Sequence, residues 1–170
     1  MIIDLANVGT TVRKIEVAFD PADIDLDGEN LKLIGKLTLD AELVRSRSGV
    51  ELNGQIQAAL LIDCTRCLAA RERQFDFEFR AVFVEADQIS EAAEVEVADD
   101  ALDESVSENG KIELAEVVRE QLLLAVPQQN FCREDCRGLC LKCGENLNLI
   151  DCKCAGDEVD PRWAALKDFK

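Results

Sequence analysis

The chain has 170 residues, is 48% hydrophobic and carries a formal net charge of −16, from 35 acidic and 19 basic residues. That length suits one ordinary domain with a small addition, and the apolar fraction argues for a packed core over disorder. The charge opposes a protein that coats phosphates; no apolar run approaches the ~18 residues of a membrane span, and no basic-then-apolar leader follows Met1, so the expected compartment is the cytoplasm.

In chain order, Ile15, Val17 and Phe19 alternate with polar neighbours and predict a short strand. From Leu33 to Leu43, the apolar Leu33, Leu37, Leu39, Ala41 and Leu43 alternate with Lys36, Thr38, Asp40 and Glu42, which marks a strand with one wet face. Ser48-Gly49 turns the chain into a third strand from Val50 to Ile62. A fourth carries Phe75, Phe77, Phe79, Ala81 and Phe83 on one face against Asp76, Glu78 and Arg80 on the other. Short connections between such strands predict an antiparallel meander or a partly closed barrel. Residues 86–110 are acidic and aperiodic, and are expected to form a surface loop. Asn109-Gly110 then turns into a helix over 112–126, whose stripe of Leu114, Val118, Leu122 and Ala125 packs on the sheet until Pro127 stops it. The expected class is α+β: an antiparallel β domain over 1–127 with one packed helix, then a cysteine-rich tail over 128–170. In that tail Asp160 and Pro161 open a short terminal helix carrying Trp163, Leu166 and Phe169.

Eight cysteines fall in close pairs: Cys64/Cys67, Cys132/Cys136, Cys140/Cys143 and Cys152/Cys154. In a reducing compartment such pairs read as metal ligands, since a metal accepts two thiolates from one tight turn whereas two near neighbours seldom bridge. With no histidine in the chain, the ligands are all thiolate or thiolate with carboxylate, which points to closed structural zinc sites. Gly144, just after Cys143, permits the positive φ that aims N–H groups at sulfur. The first choice is one zinc on Cys140, Cys143, Cys152 and Cys154. Cys132 and Cys136 either replace one of those pairs or join Cys64 and Cys67 in a second site; spacing does not choose. An iron–sulfur cluster is the alternative occupant. Cys64 and Cys67 sit at the tip of a hairpin outside any βαβ unit, which disfavours a thioredoxin-like dithiol; buried free thiols are the plain alternative.

The run Cys136-Arg-Gly-Leu-Cys140-Leu-Lys-Cys143-Gly-Glu-Asn-Leu-Asn148, with Cys152-Lys-Cys154 and Asp160-Pro161-Arg162, resembles the C-terminal signature of the YceD family. Cys64-Thr-Arg-Cys67-Leu68 resembles its internal CxRCL element, and the stretch from Val118 to Pro127 resembles its helix before the cysteines. Leu141 departs from the proline common at that place. The resemblance implies a part in accumulation of 23S ribosomal RNA and large-subunit biogenesis, and brings no catalytic residues.

Three function classes follow. The first is a non-enzymatic assembly factor whose partner is a large-subunit ribosomal protein or the 23S rRNA precursor. Residues 82–120 hold thirteen acids against Lys111 and Arg119, a segment suited to a basic protein. Arg66, Arg71, Arg73, Arg133, Arg137, Lys142 and Lys153 cluster near the thiols and are the candidate RNA or partner contacts. The second is a redox-responsive zinc protein whose thiolates release metal on oxidation. The third, an enzyme, lacks any legible motif: there is no P-loop, no GxSxG and no paired-carboxylate spacing, so neither an activity nor a small-molecule substrate is expected.

Overall fold

Alternating apolar residues over the first half build one large sheet. It is seen in a computed structural model that describes residues 1–27, 31–47, 49–85, 104–154 and Arg162. Strands β1 (Ile2–Asp4), β2 (Arg13–Phe19), β3 (Leu31–Arg45), β4 (Val50–Asp63), β5 (Ala70–Glu85), β6 (Glu104–Ser107) and β7 (Lys111–Glu113) precede the helix α1 (Leu114–Ala125). The main sheet has the order β2-β3-β4-β5-β6, and β1 pairs with β7 in a separate two-stranded ribbon. The first three junctions are antiparallel and β5–β6 is parallel. The sheet is therefore an open, mixed meander: the barrel alternative is not realised, because β2 and β6 form opposite edges.

Register explains the core. Leu39 pairs with Ile56 and Ile56 with Phe77, while Leu43 pairs with Leu52 and Leu52 with Ala81, so apolar residues line up in rows on one face. On the other face Gln55 and Gln57 donate to Asp76, and Arg80 pairs with Glu51 at 3.4 Å. β3 carries two extra residues between Ile34 and Thr38, accommodated where Gly35 takes φ +69°. Because the surplus is two, Leu33 and Leu37 keep the same side. The buried row is covered by α1 through Leu114, Val117, Val118 and Leu122, and by Ile3, Leu5 and Ile112 of the ribbon segment. Arg45 ties that segment down: its guanidinium donates to the carbonyls of Leu5 and Val8, and its N–H to Gly9.

Two further expectations need correction, and a third falls outside the described residues. Ile112, expected to open the helix, lies in β7, because an N-terminal strand whose Met1 carbonyl also accepts from Leu114 N–H supplies its pairing partner. Residues 104–107 of the expected acidic loop form β6 on the β5 edge, followed by a 3-10 turn at 108–110; residues 86–103 lie outside the described residues. The expected terminal helix, Arg162 apart, lies outside them too. At its other end α1 stops as foreseen, with Val126 extended before Pro127.

Gly54 sits between Ala41 and Phe79 in the rows. A Cβ there would stand 2.7 Å from the Phe79 ring and 3.1 Å from Ala41 Cβ. Gly54→Ala should therefore destabilise the domain by about 1–3 kcal/mol, as overpacking does, read from urea unfolding of variant and parent. An unchanged midpoint would mean that the ring does not lie over Gly54.

Candidate metal centres

The tip of the β4–β5 hairpin and a turn in the tail are two copies of one structure. In the first, Leu68 N–H bonds Cys64 O at 2.9 Å and Cys64 N–H bonds Ala69 O at 3.0 Å. In the second, Gly144 N–H bonds Cys140 O at 2.8 Å and Cys140 N–H bonds Glu145 O at 2.8 Å. Each turn places the residue after its second cysteine in the left-handed region, Leu68 at φ 57° and Gly144 at φ 74°. The shape turns N–H groups toward the first sulfur. Cys64 is buried, which opposes a thiolate, yet the N–H groups of Arg66, Cys67 and Cys132 outweigh that and bring its pKa down to about 6. The N–H groups of Cys143 and Lys142 bring Cys140 to about 6 as well.

Each turn meets a second cysteine pair. The sulfurs of Cys64, Cys67, Cys132 and Cys136 lie within 4.8 Å of one another, and so do those of Cys140, Cys143, Cys152 and Cys154. In the first quartet Cys64 and Cys136 are 3.8 Å apart and Cys67 and Cys132 are 3.7 Å apart. A tetrahedral ion with Zn–S near ~2.3 Å has an edge of about 3.8 Å, so the spacing suits one such ion. All eight cysteines are free thiols. The two quartets differ in depth: Cys64, Cys67 and Cys136 are buried, whereas Cys143 and Cys154 are exposed. We call them inner and outer.

Crowding sets the remaining thiols. Burial, and then the neighbouring thiols of Cys136, Cys67 and Cys64, push Cys132 up to about 12. The thiols of Cys143 and Cys140 push Cys154 up to about 12. Ala69 N–H favours the Cys67 thiolate, but burial and the Cys64 and Cys136 sulfurs raise its pKa; Cys152 is raised by Cys140 despite the N–H of Cys154. Cys136 goes down: burial opposes its thiolate, and the Asn148 amide and Gly138 N–H more than offset that.

The expected basic contacts divide. Arg66 donates to the carbonyls of Glu134 and Cys136 and lies over the Phe131 ring at 4.0 Å; Arg71 donates to Cys132 O and Arg73 to Phe131 O. These three arginines of the hairpin clamp the tail segment that carries two inner thiols. Arg133 pairs with Asp135 and Arg137 with Asp151 at 2.7 Å, while Lys142 and Lys153 are exposed. Two residues escaped sequence reasoning. Buried Asn130 accepts from Thr65 N–H through its carbonyl and donates to Asp63 O, and Asn148 donates to Cys136 Sγ at 3.4 Å. Asn148 lies inside the tail motif, which was the available signal; Asn130 had none.

Leu68 occupies a backbone region that suits glycine and is 63% exposed, so its side chain has little packing to lose. Leu68→Gly should raise stability by about 0.5–1 kcal/mol, after the added freedom of the unfolded chain is discounted. Chemical unfolding measures it; a loss of more than that amount would contradict the turn described.

The model of the family described as large ribosomal RNA subunit accumulation protein YceD matches residues 52–170. An uncharacterized protein of Mycobacterium leprae is 28% identical over 133 residues, 78% of this chain and 58% of the relative, so the chain spans little more than half that protein's length. An uncharacterized protein of Mycobacterium tuberculosis is 26% identical over 173 residues, covering 99% of this chain and 81% of its own. In Arabidopsis thaliana, the chloroplastic large ribosomal RNA subunit accumulation protein YCED homolog 1 is 32% identical over 60 residues, 35% of this chain and 19% of that one. No solved structure matches. The family match takes in most of the chain, including both copies of the cysteine turn and every thiol of the two quartets, and the chain belongs to the YceD family.

Proposed function

We propose that this chain is a non-enzymatic factor supporting 23S rRNA accumulation and large-subunit biogenesis, and that each quartet holds one structural zinc ion. The observation that carries the role is the family match over residues 52–170. Zinc is supported by the sulfur spacing and by the absence of histidine from the chain, since four thiolates around one ion make a closed site with no place for a reacting water. A multi-iron cluster would hold its thiolates further apart than 3.7–3.8 Å. Among the described residues no helix is long and apolar enough to cross a membrane.

The partner favoured by charge is a basic large-subunit ribosomal protein, attracted by the net −16 and by the acidic stretch 82–120. A redox-responsive role, in which oxidation frees zinc, is supported by one further observation, the exposure of Cys143 and Cys154.

Purified protein should carry two zinc ions per chain by metal analysis. Metal-free protein should release at least two protons per ion bound near pH 7, because Cys67, Cys132, Cys152 and Cys154 all hold theirs above the ordinary thiol range. Affinity then rises with pH, by roughly 100-fold per unit for two protons, and falls as acid returns them. Pull-down from lysate should recover large-subunit precursors that survive nuclease. Loss on nuclease treatment would point to RNA instead, and recovery of no ribosomal component would sink the role.

A further inference from the structure

Gly138, Leu139, Asn146 and Asn148 are not ligands in either quartet, yet they make the contacts between the two. Leu139 N–H bonds Arg66 O, inside the inner turn, at 3.1 Å. Gly138 takes φ +76° and lies so close that a Cβ would stand 3.0 Å from the same Arg66 O. On their other side, Gly138 O accepts from Leu147 N–H at 2.9 Å and Leu139 bridges to Asn146, in the loop that joins the two outer pairs. Residues 138–139 are thus wedged between the inner turn and the outer loop.

Asn148, also in that loop, reaches back to an inner ligand. Its Nδ2 donates to Cys136 Sγ at 3.4 Å and to Asn146 Oδ1 at 2.8 Å, while its Oδ1 accepts from Arg137 N–H and from Arg133 Nη2. The two quartets are anchored unequally. The inner quartet takes two thiols from the hairpin of β4 and β5 and is clamped by Arg66, Arg71 and Arg73. The backbone hydrogen bonds of residues 140, 144, 147, 149 and 150 run within 138–150, so among the described residues no backbone hydrogen bond of theirs reaches a strand of the sheet.

We propose that the outer metal site is built on the inner one. An ion on Cys64, Cys67, Cys132 and Cys136 fixes the Arg66 carbonyl and the Cys136 sulfur. These two acceptors, through Gly138–Leu139 and Asn148, hold the outer loop in the shape that brings Cys140, Cys143, Cys152 and Cys154 together. The outer site is the dependent one, fills second and empties first, and its exposed thiols meet oxidants or a metal-accepting protein before the inner ones do. Asn148 acts as a positioning residue between the two ions. The inference rests on the zinc reading above.

The test titrates the full metal-free chain with zinc alone, in competition with a chromophoric chelator, and counts bound ions by native mass spectrometry. Wild type should bind two ions at distinct affinities. Cys140→Ser/Cys143→Ser should keep one ion at the wild-type inner affinity, whereas Cys64→Ser/Cys67→Ser should weaken the outer site by about tenfold or more, the scale of a lost support to a ligand. Because that second variant also loosens the hairpin, Asn148→Leu provides a check with all eight thiols present: two ions bind, with the outer affinity reduced about tenfold. An outer affinity equal to wild type in both Cys64→Ser/Cys67→Ser and Asn148→Leu would overturn the dependence, as would an inner affinity that falls equally when the outer thiols are removed. A wild-type chain that binds no zinc defeats the zinc reading itself, a result distinct from any difference between variants.

Discussion

Eight thiols in two tight groups impose a condition that the rest of the tail obeys. Four sulfurs within 4.8 Å cannot all be thiolates without a cation, because like charges at that distance drive each other's protonation. The metal-free chain resolves the conflict by spreading its pKa values, with one sulfur in each quartet near 6 and another near 12. A divalent ion removes the conflict and turns repulsion into attraction. On the zinc reading, that exchange would hold residues 128–154, which contain no helix or strand beyond the Leu139–Asn146 bridge, in a defined course.

The sheet prepares the inner site by rigidity. β4 and β5 pair without a register shift from Val50 with Phe83 to Asp63 with Ala70, so the hairpin end that bears Cys64 and Cys67 is set by fourteen consecutive pairs. Beyond the helix-covered core the hairpin has polar Arg71 and Arg73 on β5, and these reach carbonyls of the tail instead of packing on apolar neighbours. The end of the sheet that looks least buried is thereby the end that receives the tail.

Much of this was legible in the sequence, for identifiable reasons. Period-two alternation found β2 to β5 because one face of each is buried and the other wet. The three short strands β1, β6 and β7 were not legible, since three or four residues are too few for a period and their pairing is decided by distant partners. Gly144 announced the outer turn; the same turn at Leu68 was hidden, because leucine there accepts a backbone cost that sequence patterns do not show. Sequence reasoning grouped the cysteines in pairs and favoured Cys140, Cys143, Cys152 and Cys154 as one set; it left the partners of Cys64 and Cys67 open, because joining Cys64 with Cys136 closes a loop of seventy-two residues. The arginines were read as an outward surface for a related reason: their acceptors are backbone carbonyls, which any residue supplies.

That last point bears on the partner. A zinc ion with four thiolates leaves two negative charges at each centre, so on the zinc reading the loaded protein is more acidic than its formal −16. Arg66, Arg71 and Arg73 stand around the inner centre with their donors on carbonyls of its ligand strand, and Arg133 and Arg137 are matched by Asp135 and Asp151. Five of the seven basic groups that looked like an RNA surface are thus engaged first as counter-charge and clamp. On the proposed reading, a polyanion would find five of those groups already engaged, whereas a basic protein would meet complementary charge on the acidic stretch 82–120.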